Sequence, residues 1–288
     1  MLGCRMRFRV SSDLHYQLDG PTTFFFALKC IETNGQHIED EFLYIDPEVP
    51  TDDFTIGVGM NRFTRIRPQN PGSLHLRYQA EVETSIQLTD VATLNADGPH
   101  QLIPEAIPFL FPSRYCQADR LRQQALDLFG HLPDAHSIAA GISDWIYEHV
   151  AYRSGTSNEQ SSAMDTLEQR QGVCRDFAHL GIGLCRAMNV PARYVTCYSH
   201  LLDPPDFHAV FEVFIDGMWY VFDATRLAPL NGLVRIATGR DAADAAVCTI
   251  FGNPSLNNIS VICNSLDDSF IPITRDTLRD ANQAIALL

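Results

Sequence analysis

Cys174, His208 and Asp223 lie within about fifty positions of one another. Together these residue types can perform nucleophilic acyl chemistry. A thiolate attacks a carbonyl, an imidazole carries the proton, and a carboxylate holds the imidazole in the useful tautomer. Cys174 sits within Gly172-Val173-Cys174-Arg175-Asp176-Phe177-Ala178-His179-Leu180. Phe177, Leu180, Leu184 and Met188 form one apolar face at helical period, which predicts a helix beginning here. Gly172 permits a sharp turn before it, Asp176 suits the positive end of its dipole, and Asn189 with Pro191 stops it. The thiol would then occupy a helix N-terminus, where unpaired backbone N–H groups favour thiolate.

His208 and Asp223 fall in two strand-like runs, 208–215 and 218–225, separated by Asp216-Gly217. That dipeptide suits a two-residue type I′ hairpin. Such a turn pairs Ile215 with Met218 and sets Val210 opposite Asp223. His208 shares the face of Val210, so Asp223 is its diagonal neighbour, with Cβ atoms roughly 7 Å apart. A slip of one residue would separate them onto opposite faces. The Cys174 backbone N–H is a natural oxyanion donor at a helix start. For a second donor the candidates are Gln171, Tyr152 and Trp145.

Blander roles suit the neighbouring residues. His179 and Asp176 are expected to be structural, and Cys185 and Cys197 to be small core residues. Gly181 and Gly183 mark close packing of the helix against a strand. Zinc held by Cys174, His179 and His208 would fit no common ligand spacing. Arg235, Arg240 and Asp241 look like an ion-pair region. No calcium loop with alternating Asp/Asn ligands is visible, so neither metal nor cofactor is expected.

The elements that must position these residues divide in two. Residues 1–112 read as an N-terminal β domain, a small sandwich or barrel. Its strand-like runs are 7–10, 22–31, 41–45, 52–58, 61–67 and 74–86, with turn signals between them. His15, His37 and His75 are isolated in this stretch and read as surface or structural. A Pro-rich junction follows, with Pro99, Pro104, Pro108 and Pro112. Residues 113–288 read as an α+β catalytic domain. Helices are predicted over 119–129, from a cap at Asp134 or Ser137 through about His149, and over 163–170. The Cys174 helix, a strand at 192–198 and the hairpin come after them.

Composition narrows the function classes. A net charge of −14 over 288 residues argues against a nucleic-acid groove or an anionic membrane surface. Eight scattered cysteines without a CxxC pair suggest free thiols in a reducing cytoplasm rather than a disulfide framework. No signal peptide is visible, and the longest apolar run is far too short to span a bilayer.

Several segments together resemble the transglutaminase-like superfamily, in its bacterial type with an N-terminal β region. They are GVCRDFAHL at 172–180, VPARYV at 190–195, HAVFEVFIDGMWYVFDAT at 208–225 and RIATGRDAADAAV at 235–247. PSRYC at 112–116 and Trp145-Ile146 are similar to that branch as well. The resemblance implies a papain-like/transglutaminase-like core with Cys174 as nucleophile, His208 as base and Asp223 as orienter. It covers 113–250 well and the first hundred residues loosely. Val210 stands where the pattern often has tryptophan, and Asp223-Ala224-Thr225-Arg226 replaces the usual Asp-Pro-Thr. The expected activity is acyl transfer on the amide bonds of a protein or peptide substrate through a thioester. Water as acceptor gives a protease or amidase, and an amine gives a transglutaminase. Hydrolysis is favoured, because no amine pocket can be argued. The rival reading is a non-catalytic peptide-binding module on the same fold.

Overall fold

The computed structural model describes residues 4–57, 59–95 and 102–288. Val58 and Pro99, assigned above to a strand end and to the junction, lie outside them. In chain order the elements are β1 (Cys4–Leu18), β2 (Thr23–Phe26), β3 (Gln36–Asp46), β4 (Thr51–Ile56), β5 (Asn61–Ile66) and β6 (Gly72–Asp90). Next come α1 (Ala118–Phe129), α2 (Ala135–His149), β7 (Ala151–Tyr152), α3 (Ala163–Gln169), β8 (Gln171–Gly172) and α4 (Cys174–Ala187). Then follow β9 (Ala192–Ser199), β10 (His208–Ile215), β11 (Met218–Phe222), β12 (Leu233–Gly239) and α5 (Ala242–Ala245). The last are β13 (Cys248–Phe251), β14 (Ser255–Ser265), α6 (Arg275–Asp280) and β15 (Gln283–Leu287).

The N-terminal region is sandwich-like. In β6, Leu74, Leu76, Tyr78, Ala80 and Val82 are buried, while the residues between them face outward. This is the alternation of a half-solvated antiparallel sheet. The buried face of β1 and β6 meets a four-stranded sheet ordered β13-β2-β5-β4. Tyr16 of β1 packs on Phe24 of β2 with ring centroids 5.1 Å apart. The strand predicted over 22–31 is cut short after Phe26. Beyond it, Ala27 N–H donates to Val247 and Ile31 N–H to Arg235, so these backbone donors are satisfied outside any ladder with β5.

Above the predicted junction lies the α+β core. Helix α4 packs on β9 and β10, with α1, α2 and α3 against it. Gly181 lets the helix approach the strand, since a Cβ there would come within 2.6 Å of the Phe211 ring of β10. Gly183 serves a different neighbour: its Cβ would meet Leu121 of α1, not a strand. Arg235 does not share the ion-pair region expected for it with Arg240 and Asp241. Glu212, buried in β10, receives Arg193 at 2.6 Å and Arg235 at 2.7 Å, tying β9, β10 and β12 together. Arg240 pairs with Asp244.

The two regions share one sheet. Nine strands run in the order β12-β9-β10-β11-β15-β6-β1-β14, with β3 also on β6. The long β6 pairs with β15 over Ile86–Asp90 and with β3 over His75–Thr84. β14 pairs with β1 from Phe8 to Gln17. The C-terminal strands, grouped by sequence with the second unit, thus complete the sheet of the first. One continuous apolar core runs from Met6 to Leu287. Among the described residues no helix is long and apolar enough to cross a membrane.

Candidate active site

Cys174 is the first residue of α4, as its sequence context predicted. Asp176 caps this end: its Oδ2 accepts from the Val173 N–H at 2.8 Å, and the side chain is buried. Gly172 is needed here for closeness rather than for an unusual turn. A Cβ at that position would lie 2.6 Å from the Asp176 Cβ. His179, one turn further on, is structural. Its ring stacks on Tyr115 at 4.9 Å, and its Nε2 accepts from the Ala242 N–H at 3.1 Å. Burial and the nearby Arg175 and Arg186 hold its proton affinity well below that of a free imidazole, so it stays neutral.

The hairpin has the predicted register. Asp216 and Gly217 both have positive φ, 50° and 79°, as a type I′ turn requires. Ile215 pairs with Met218, and the ladder runs to Phe211 opposite Phe222. The strands then part, and Asp223 turns toward His208. His208 Nε2 and Asp223 Oδ2 are 2.9 Å apart, both side chains almost wholly buried. The other carboxylate oxygen, Oδ1, accepts from the Thr225 N–H at 2.8 Å and from its hydroxyl at 2.7 Å. Arg226 fixes the loop from below by donating to Asp144 of α2 at 2.7 Å.

Burial alone would make His208 harder to protonate. The Asp223 charge and hydrogen bond, helped by Cys174, overcome that and push its pKa up to about 10. Burial likewise opposes ionisation of Asp223, but His208 and Thr225 lower its pKa below the ordinary carboxylate value. His208 Nδ1 lies buried without a close hydrogen-bond partner, and Cys174 adjoins the ring. The three sequence-predicted residues are therefore brought together: helix start, strand start and hairpin end meet at one place.

Cys174 and His208 line one cleft of about 340 Å³. Its far wall, which sequence reasoning missed, comes from both ends of the chain: Leu14 and Tyr16 of β1, and Leu256 and Ile259 of β14. No local pattern could have assigned them, because they reach the site only through the pairing of β1 with β14. Of the three candidate second donors, Tyr152 stands beside Cys174. The parallel pairing of β7 with β8 sets it next to Gly172. Burial and the adjacent Cys174 push the Tyr152 hydroxyl up to about 12. Trp145 instead stacks on His149 and beneath Arg170, and Gln171 pairs with Ala151.

Comparison with known proteins agrees with this architecture. Residues 123–224 match the transglutaminase-like superfamily, and residues 6–99 match the bacterial transglutaminase N-terminal domain. A solved structure from Cytophaga hutchinsonii, described as a candidate cysteine protease, is 46% identical, with a TM-score of 0.95. That similarity covers 100% of this chain and 99% of the other. The chain belongs to the transglutaminase-like superfamily. An uncharacterised protein of Mycobacterium leprae is 32% identical over 128 residues, 40% of this chain and 44% of that protein. Another, from Mycobacterium tuberculosis, is 33% identical over 87 residues, 30% of this chain and 27% of that protein. The alignments thus span less than half of these curated relatives.

Proposed function

We propose that this transglutaminase-like chain is a cysteine-dependent amidase or protease that cleaves peptide amides through a thioester. The reading rests above all on the 2.9 Å bond that holds His208 to Asp223 in the cleft containing Cys174. The Cys174 thiolate attacks the amide carbonyl carbon, forming a C–S bond and an oxyanion. The Cys174 N–H stabilises that oxyanion, with the Tyr152 hydroxyl as second donor. As the C–N bond breaks, His208 gives its proton to the departing amine. Water then attacks the thioester while His208 accepts its proton, and the thiolate leaves with a free carboxylic acid as product. Asp223 stays ionised throughout and keeps the imidazole oriented.

The wall formed by Leu14, Tyr16, Leu256 and Ile259 suits an apolar side chain on the acyl side of the scissile bond. Incubation with a mixed peptide library, read by mass spectrometry, tests the reading. Cleavage C-terminal to apolar residues, lost in Cys174→Ser, is expected. Adding a primary amine at millimolar concentration should leave the acid as the main product. An amide product that replaces the acid would make the chain a transglutaminase, and no turnover in either assay would leave only a binding role.

A further inference from the structure

The proposed acyl chemistry uses nothing on the outer face of β1 and β6. His15 of β1 and His75 of β6 stand directly opposite each other across the two strands. Their rings are stacked, with centroids 4.1 Å apart and planes 10° from parallel. Both turn Nε2 to the same atom: Asp13 Oδ1 is 2.7 Å from His15 and 2.9 Å from His75. The three potential ligand atoms all lie within 4.8 Å of one another. Asp13 and His15 are neighbours on one face of β1, and His75, sixty residues from His15 in the chain, is brought to them by the register of β1 on β6.

The surroundings hold this group still. Arg77 Nε donates to the second carboxylate oxygen of Asp13 at 2.5 Å. The ring of Tyr44 on β3 meets His75 edge-on at 5.7 Å. Asp46 of β3 stands opposite His75 and extends the same cross-strand row. The His15 side chain keeps 44% of its surface exposed, so solvent reaches the cluster and can supply a further ligand.

We propose that Asp13, His15 and His75 bind a zinc ion on this outer face, with water completing the shell. Two imidazole nitrogens and one carboxylate oxygen suit zinc and are too rich in nitrogen for calcium or magnesium. Zinc bonds of about 2.0–2.2 Å require the two nitrogens to stand roughly 3.3 Å apart, a separation that stacked cross-strand imidazoles can reach by small side-chain rotations. In the metal-free arrangement each Nε2–H can donate to Asp13. On binding, each ring carries its proton on Nδ1 and turns the Nε2 lone pair to the metal. Arg77 lowers the affinity by its charge, but it is half-exposed and holds the outer oxygen, leaving Oδ1 to the ion. Orienting hydrogen bonds of this kind commonly support metal-ligating carboxylates. The site lies on the strand that walls the cleft: His15 falls between Leu14 and Tyr16, which point to the opposite face. A bound ion would stiffen that wall.

The test uses the full chain carrying Cys174→Ser, so that the cleft thiol cannot ligate metal. After chelator treatment it is titrated with zinc by calorimetry, and thermal unfolding is followed with and without the ion. One zinc per chain and a zinc-dependent rise in Tm are expected. His75→Gln and His15→Gln added to this background should each weaken binding at least tenfold and abolish the rise in Tm. His37→Gln, outside the cluster, should change neither. The unliganded Tm of each variant shows whether it has folded, and a folded one of the pair suffices for the comparison. Zinc binding unaffected in a folded His75→Gln or His15→Gln chain, or no binding by the Cys174→Ser chain, would overturn the proposal.

Discussion

The Asp223 carboxylate divides its work between its oxygens: one bonds His208 and the other is saturated by Thr225. It therefore cannot swing away when the imidazole changes charge. Asp223→Asn keeps the shape but can present an amide N–H to the imidazole and stabilise the wrong tautomer. Turnover of any peptide substrate should fall by roughly 10³–10⁴-fold while the fold is retained. The same pair gives stability a defined pH dependence. The folded pKa of His208 is raised from 6.5 to about 10, so its contribution is whole below about pH 6.5 and is lost as pH rises through about 10. The Asp223 pKa is lowered from 3.8, so its side of the pair is present above that value and lost as pH falls through the folded pKa. Urea midpoints of the wild type and His208→Gln should differ most between about pH 4 and 6.5 and converge toward pH 10. A difference that grows with pH over that range would contradict this assignment.

Helix α4 and hairpin β10–β11 can present their residues to one another only because the helix lies close on the strand. Gly181 makes that approach possible against Phe211. Gly181→Ala should cost about 1–3 kcal/mol in urea unfolding, through overpacking of a tight interface. A neutral result would mean that the ring has room to yield. These two elements were the most legible part of the sequence, because their geometry is locally encoded. A two-residue Asp-Gly turn sets the hairpin register, and an apolar stripe with its stop signal sets the helix. The purpose of Gly172 was not legible, since it depends on where the Asp176 side chain folds back. Nor was the His15–His75 pair, because a register between strands sixty residues apart leaves no mark in either segment. β14 is not legible for a related reason. Leu256, Ile259 and Ile262 are exposed on it, so it lacks the one-sided burial that produces a clear alternation.

The cleft is a joint product of both regions of the chain. β1 and β14 supply its far wall, and β15 joins β11 to β6. A fragment beginning at residue 113 would expose the inner faces and open edges of β14 and β15. It should lack a cooperative thermal transition, whereas the full chain should unfold in one. Independent, reversible unfolding of the fragment would show that the shared sheet is incidental. The superfamily resemblance was readable from the motifs of the core, but the contribution of the first and last strands to the site required the folded chain.

The proposed acyl chemistry requires Cys174 to be a reactive nucleophile beside the imidazole that Asp223 holds in place. Its most direct measurement is the iodoacetamide labelling rate of each cysteine at about pH 5.5, resolved by mass spectrometry, in the wild type and in His208→Ala. Cys174 should label much faster than the other thiols, and the substitution should remove that advantage. Equal slow labelling of all the thiols in the wild type, or an advantage that survives without His208, would show that His208 does not activate Cys174.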